Sequence, residues 1–460
     1  MRILLWHGYL LRGSGSNVYT ANLARTWRRA GHDVLLLCQE RDIEDLDFVD
    51  LHGDLALGNR RLDLHAGGAP AAPGRCRLAR PDIGGLLPLY VYDDYPGYIA
   101  KRFVDLDDHE LARYVAANVT AMATAIEEHD PDAIVTGHEV MGPYIALEAC
   151  RAGGRPYLAK LHGSGLEYAV KLQERYRHYA RLGLGGARVV VGGSRYILDE
   201  AARWVAGFET RAEVVNPGCD VELFAPRDRD RSQPPTVGYV GKLMASKGVH
   251  HLIAALGLTR TQGLRAVVVG FGDLHVRLEA IAAALQRGDL DAARLLAGEG
   301  DEAGFDTLTR FFSEIADERY RQRVGEVPVR FTGRLEHGPL AEVLPGFDVL
   351  VVPSIVPEAF GMVAAEAAAA GVLPIVADHS GLAEAAAAIE RALGAPGLLR
   401  FDPEDPIAGI ATAVDRVLGL PEGERRAMGL AAAELARARW SWEHVAARIL
   451  ALAGPAAPPR

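Results

Sequence analysis

The sequence predicts an α/β protein of two domains, each a parallel sheet covered by helices. Three observations carry that expectation. Short β-branched runs recur, each is followed by a glycine-rich turn, and each turn leads into a longer segment with helical spacing. At 460 residues the chain exceeds the usual span of a single hydrophobic core, which sets the domain count at two.

In the first half the strand candidates are RILLWHG, HDVLLLCQ, DAIVTGH, RPYLAKLHG and ARVVVGGS, with AEVVNPG closing the series. The second half repeats the pattern with TVGYVGK, RAVVVGFG, VRFTGRL, FDVLVVPS and VLPIVAD. Two Rossmann-like domains follow, expected over residues 1–222 and 223–438. Between them, from about Pro226 to Pro235, charge, Ser and a Pro pair replace apolar periodicity, which is linker composition. The segment RWSWEHVAARILALAG has helical spacing and two tryptophans to bury; a terminal helix is expected over 439–454, with a disordered tail at 455–460. Residues 42–100 and 287–328 are overlong for connections, and insertions beside strand ends commonly shape substrate access.

Composition narrows the function classes. With 49% apolar and 24% charged residues the chain suits a folded α/β protein, and a net charge of -10 disfavours a general nucleic-acid binder. Cys38, Cys76, Cys150 and Cys219 stand far apart without CxxC spacing, as expected of reduced thiols in a cytoplasmic protein. The apolar run after Arg2 is broken by His7 and Gly8, too early for a secretory segment, and no stretch is long and uncharged enough to span a bilayer. Membrane contact is expected to be peripheral at most.

Ligands of open parallel sheets bind beyond the carboxyl ends of strands, where helix N-termini point outward, so the turns there hold the candidate site. After the first strand, Gly13 and Gly15 precede a helix and allow close approach of an anionic or hydroxyl-rich ligand. A dinucleotide fingerprint would need a third glycine where Val18 stands, although Glu40 after the second strand keeps an NAD reading open. VGYVGKLMASKG places Lys242 and Lys247 on a strand-end loop, where two ammonium groups can neutralise a diphosphate. Gly270 and Gly272 offer close approach at the next turn. In PEAFGMVAAEAAAAG, Glu358 lies in a loop and Glu366 about two helical turns later; each carboxylate can accept hydrogen bonds from a pair of vicinal hydroxyls. For each residue alone, a solvated or capping role is the competing account.

Together these residues resemble the family-4 glycosyltransferases, retaining enzymes of the GT-B fold, over nearly the whole chain. The marks are GSGS after strand one, LHGSG at His162, VGYVGKLMASKG, VVVGFG, FTGRL with Gly333, and PSIVPEAFGMVAAEAAAAG with seven residues between its glutamates. The resemblance implies two Rossmann-like domains facing across a cleft, with the last helix crossing back to the first. It implies that Lys242 and Lys247 hold the diphosphate, Glu366 the ribose and Glu358 the donor sugar hydroxyls, with the Phe360 and Gly361 amides towards phosphates and sugar. His162 would line the sugar near its anomeric carbon, and Gly13 and Gly15 would sit near phosphate. It implies a nucleotide-diphosphate sugar as donor, with UDP or GDP as the nucleotide, no cofactor and no metal. Lys242 departs from the family, which more often has Arg there, keeping charge but losing the forked geometry.

Acidic pairs Asp93-Asp94 and Asp107-Asp108 are expected to be structural, and His138-Glu139 to be cleft lining or core rather than a metal site. Acceptor candidates are His138, Tyr168 and the basic segment with Lys171, Arg175, Arg177 and Arg181. The acceptor is a hydroxyl-bearing molecule of unknown identity, and a homodimer is open. Competing functions are a GT-B-fold sugar-nucleotide epimerase or phosphorylase, a non-catalytic sugar-nucleotide binding protein, and, on the first domain, an NAD-dependent oxidoreductase.

Overall fold

The computed structural model describes residues 1–55, 62, 64–91, 95–228, 233–300 and 302–455. The chain divides into two compact units, one formed by Met1–Pro217 with the segment from Trp442 onward, the other by Gly218–Ser441.

The first unit contains β1 (Arg2–Trp6), β2 (Asp33–Leu37), β3 (Leu51–Leu55), β4 (His65–Ala66), β5 (Arg75–Pro81), β6 (Leu86–Leu89), β7 (Ile99–Arg102), β8 (Ala133–Gly137), β9 (Leu158–Lys160), β10 (Val189–Gly192) and β11 (Ala212–Val214). Nine of them form one sheet in the order β11-β10-β9-β8-β1-β2-β5-β3-β4, and β6 pairs with β7 alone. The large sheet is parallel except where β4 runs against β3. Its central strands are apolar on successive residues because helices cover both faces: Ile3, Leu4, Leu5 and Val34 to Leu37 are all buried. Residues 42–100, which show no clear strand signal in sequence, add β3, β4 and β5 to this sheet. Arg28 ties that addition down by donating to both carboxylate oxygens of Asp50, at 2.8 and 2.7 Å.

Helix Gly15–Arg29 starts where the Ser14 hydroxyl accepts from the Asn17 amide. It buries Leu23 and Trp27 in the same core as Trp442, Val445, Ala446 and Ile449 of helix Trp442–Ala453. The Trp27 indole N–H finds its acceptor there, the Ala446 carbonyl at 3.0 Å.

The second unit has one parallel sheet of β12 (Thr236–Val240), β13 (Arg265–Val269), β14 (Val329–Gly333), β15 (Val349–Val352), β16 (Leu373–Ala377) and β17 (Arg400–Phe401), in the order β14-β13-β12-β15-β16-β17. Residues 287–328 form helices Leu290–Ala297, Phe305–Glu314 and Glu318–Gly325 between β13 and β14. The alanine run around Glu366 is a buried helix, Met362–Ala369, packed close to helix Glu422–Trp440. The two segments meet backbone to backbone, since a Cβ on Gly429 would lie 2.2 Å from the Gly371 carbonyl oxygen.

In each sheet the strand order reverses once beside the earliest strand: β1 lies between β8 and β2, and β12 between β13 and β15. The loops leaving β1, β8, β12 and β15 therefore hold the crevices at which such sheets bind ligands. Among the described residues no helix is long and apolar enough to cross a membrane.

Candidate functional site

In the second unit the loop after β12 and the loop after β15 are pressed together. Gly248, with φ +68°, leaves room for a Cβ only 1.9 Å from the Pro353 carbonyl oxygen, so no other residue fits without displacing that strand end. The Ile355 amide donates to the Ser246 carbonyl at 2.9 Å across the same seam. This contact brings Lys247 to Glu358 over 111 residues of sequence, with the ammonium 2.8 Å from Oε1. The Ser354 hydroxyl donates to the same oxygen. Burial pushes the Glu358 carboxyl up, but the Lys247 charge and the hydrogen bonds from Lys247 and Ser354 outweigh it, and the net shift is down. Glu358 is therefore an ionised carboxylate in a largely desolvated loop.

Lys242, on the same loop as Lys247, is exposed; its carbonyl accepts the Tyr239 hydroxyl at 2.9 Å, and its ammonium has no partner among the described residues. Gly361 caps helix Met362–Ala369 with φ +91°, and a Cβ there would meet Leu382 at 2.3 Å. The Phe360 ring is buried edge-on against Trp440, which anchors the loop from below. Glu366, almost fully buried, faces His337, whose Nε2 lies 3.8 Å from Oε1. The Glu366 carboxylate beside it raises the His337 pKa above its ordinary value, against the effect of burial.

Three glycines expected beside ligand do different work. A Cβ on Gly270 would lie 2.0 Å from the Gly241 carbonyl oxygen, and one on Gly272 2.5 Å from that of Leu243, so both receive the backbone of the β12 loop. Gly333, with φ +74°, has open space around it, and its carbonyl accepts the Gly270 amide.

The first unit gathers a second constellation. His7 directly follows β1, His138 directly follows β8, and His162 stands just beyond β9, on three neighbouring strands. The His138 ring lies 5.6 Å from His7 and 4.9 Å from His162, with Tyr9 and Tyr90 against it. Burial lowers the pKa of all three histidines, that of His7 to about 4, so the rings are neutral. Glu139 accepts the Gly163 amide on Oε1 at 2.5 Å, and a Cβ on Gly165 would reach Oε2 at the same distance, so the glycines of LHGSG fold onto this carboxylate. Burial raises the Glu139 pKa, partly countered by those amides. Lys160 is buried, 5.2 Å from the Tyr19 ring centroid, and burial, partly offset by Glu139, lowers its pKa to about 7. His138 Nε2, Glu139 Oε2 and the Tyr19 hydroxyl are buried without hydrogen-bond partners among the described residues. Such a buried polar lining suits hydroxyl groups.

Gly13 has φ +90° with open space around it, while Gly15 begins the first helix. The Glu40 carboxylate accepts the amides of Leu11, Arg41 and Asp42, so it holds the loop together rather than presenting an acceptor to a ribose. Asp107 caps helix Asp108–His129 reciprocally with Glu110, and Asp108 pairs with Arg175; Asp93-Asp94 lies outside the described residues. Lys171 pairs with Glu167 and Glu200, and Arg177 with Glu174, while Tyr168 is exposed. All four cysteines are buried free thiols, and no group of three or more His, Cys, Asp or Glu among the described residues could hold a metal ion.

Sequence reasoning missed His7, Lys160, Ser354 and His337. For His7 a signal was present, since it stands immediately after a strand, as His138 does.

Residues 14–218 match the family model for a glycosyl transferase 4-like domain, and residues 273–419 that for glycosyl transferases group 1. A glycogen synthase from Mycobacterium tuberculosis is 32% identical over 235 residues, which take in 51% of this chain and 46% of that protein. The chain thus spans about half the length of that relative. Among solved structures, sucrose-phosphate synthase from Thermosynechococcus elongatus superposes with a TM-score of 0.63 at 20% identity, covering 98% of this chain and 97% of that one. Anabaena Alr3699/HepE in complex with UDP and glucose does so with a TM-score of 0.59 at 16% identity, covering 98% of each chain. With its two matched domains and its structural neighbours, the chain has the GT-B fold and belongs to the GT4-type glycosyltransferases.

Proposed function

We propose that the protein transfers a sugar from a nucleotide-diphosphate sugar to an acceptor hydroxyl with retention of anomeric configuration. The observation that carries this is the Lys247–Glu358 pair at the switch point of the second unit's sheet, on a loop that also carries Lys242, whose ammonium has no partner among the described residues. Lys242 and Lys247 stabilise negative charge growing on the departing diphosphate, which requires no metal. Glu366 accepts from the ribose hydroxyls and Glu358 from those of the sugar, while the amides of Phe360 and Gly361 face phosphate. The polar lining of the first unit, His138 and Glu139 among it, receives the acceptor, while His162 lines the donor sugar near its anomeric carbon and Gly13 and Gly15 lie toward phosphate. A donor phosphate oxygen takes the acceptor proton on the same face of the sugar, so no carboxylate nucleophile is needed. UDP or GDP is the nucleotide, a reading supported by the complex of Alr3699/HepE with UDP and glucose. The protein works in the cytoplasm.

The test is a thermal-shift titration with UDP, GDP, ADP, dTDP and NADH, run beside Glu366→Ala. One nucleoside diphosphate is expected to stabilise the wild type, and the variant is expected to lose that shift. Stabilisation by NADH alone, or by none of the five, overturns the assignment.

A further inference from the structure

We infer that Ser380 and His379 are positioning residues for Glu358, closing a ring of hydrogen bonds that fixes this carboxylate to read the donor sugar. The inference rests on the donor-site reading proposed above and adds residues that no motif identified.

Backbone conformation gives the first argument. Among the described residues three non-glycines have φ in the left-handed region: Asp130 at 45°, His138 at 70° and Ser380 at 56°. Asp130 is a helix C-cap, a position that tolerates this conformation. His138 belongs to the polar lining of the first unit. Ser380 opens helix Ser380–Leu393, where a glycine would adopt the same backbone without steric cost. A serine kept there points to a task for its hydroxyl.

Hydrogen-bond directions supply the second argument. His379 Nε2 lies 2.9 Å from the Ser354 carbonyl oxygen, which can only accept, so Nε2 carries the proton. In the neutral ring Nδ1 is then an acceptor, and the Ser380 hydroxyl 2.9 Å away donates to it. That leaves a lone pair on Ser380 Oγ for the Glu358 amide, which donates at 3.0 Å. The Ser354 hydroxyl in turn donates to Glu358 Oε1, and the circuit closes on the residue where it began. Next to Ser380, the Gly381 amide donates to the Glu358 carbonyl at 2.9 Å, and a Cβ on Gly381 would lie 2.4 Å from the Ala359 carbonyl oxygen. Glu358 is thus held at its amide, its carbonyl and its carboxylate. Both side-chain bonds to the carboxylate, from Lys247 and Ser354, use Oε1, and among the described residues none uses Oε2. The ring therefore presents Oε2, in one orientation, to the hydroxyl-bearing part of the donor.

The test compares an intact sugar nucleotide with its nucleoside diphosphate by calorimetry: UDP-glucose with UDP, and GDP-mannose with GDP. Ser380→Gly suits the left-handed backbone and deletes the hydroxymethyl side chain, the hydroxyl with it. It is expected to weaken the sugar nucleotide about tenfold or more, to leave the nucleoside diphosphate unchanged and not to lower the unfolding midpoint. His379→Phe is expected to give the same selective loss. Equal weakening of both ligands, or no change in either, overturns the inference. Glu358→Gln separates the two failures. If it weakens the sugar nucleotide while Ser380→Gly does not, the donor reading stands and only the positioning role falls; if neither variant does, or if the wild type binds none of the four, the donor reading falls with it.

Discussion

Lys247→Met tests whether this lysine serves the reaction or only neutralises Glu358. The ammonium lies 2.8 Å from Oε1, with 32% of the lysine side chain and 17% of the glutamate side chain exposed. Removing one partner of a fully buried pair costs about 3–5 kcal/mol. Solvent at the partly exposed lysine screens the stranded carboxylate, which reduces the expected loss to about 1–3 kcal/mol. For a unit of this size that corresponds to roughly 2–10 °C in unfolding midpoint. If Lys247 also meets charge developing on the leaving diphosphate, turnover falls by a further factor of about 10²–10³. The double variant Lys247→Met with Glu358→Gln, a near-isosteric neutral amide, isolates the stability effect. With the pair replaced by uncharged groups, stability should return to within about 1 kcal/mol of wild type, because no buried charge is left stranded. Turnover should stay down. The assays are calorimetric unfolding and coupled detection of UDP released from UDP-glucose, or of GDP from GDP-mannose, with water taking the sugar where no acceptor is supplied. Recovery of turnover by the double variant to within about tenfold of wild type, or its retention in Lys247→Met alone, would refute the leaving-group role.

Two further predictions concern pH. The Lys160 pKa is lowered from 10.5 to about 7, so between those values the unfolded chain holds a proton that the native one lacks, and stability should rise with pH across that window. Lys160→Met should flatten the slope in denaturant unfolding at stepped pH; an unaltered slope would mean the ammonium is not desolvated. The His337 pKa is raised by Glu366, so the stabilising pair is present below the ordinary 6.5 and lost as pH rises through the higher folded-state value. An NMR titration should place His337 above 6.5 in the wild type, and Glu366→Gln should bring it down; a titration that ignores this substitution would dissolve the pair.

The strands that were legible in sequence are those buried on both faces. RILLW and DVLLL lie in the middle of the sheet, where an uninterrupted apolar run is the only pattern that satisfies two covered faces. RCRLARP lies toward the sheet's edge, and its arginines answer to carboxylates on other strands, Arg77 to Asp33 and Arg80 to Asp54, so its strand character is masked by charge. The site followed the same logic. Glycines and paired glutamates announced the loops, but the meeting of Lys247 with Glu358 depends on Gly248 fitting beneath Pro353, a tertiary contact with no local signature. Ser380 and His379 are ordinary residue types in an ordinary turn, and only the positive φ and the direction of their hydrogen bonds set them apart. Glu40 shows the reverse: its spacing suited a ribose contact, yet three backbone amides take its carboxylate.

The first unit is discontinuous in sequence, since helix Trp442–Ala453 completes a core begun by Ile3, Leu23 and Trp27. During synthesis roughly 220 residues separate the two parts, about 10–45 s at ordinary elongation rates of 5–20 residues per second. For that interval the nascent first unit lacks the apolar face of Trp442, Val445 and Ile449, and the Trp27 indole lacks the carbonyl it is built to meet. The second unit, continuous from Gly218 to Ser441, has all its pieces first. The usual vectorial order is thereby inverted, and the first half of this chain is the part that must wait, with its exposed apolar surface a natural client for chaperones.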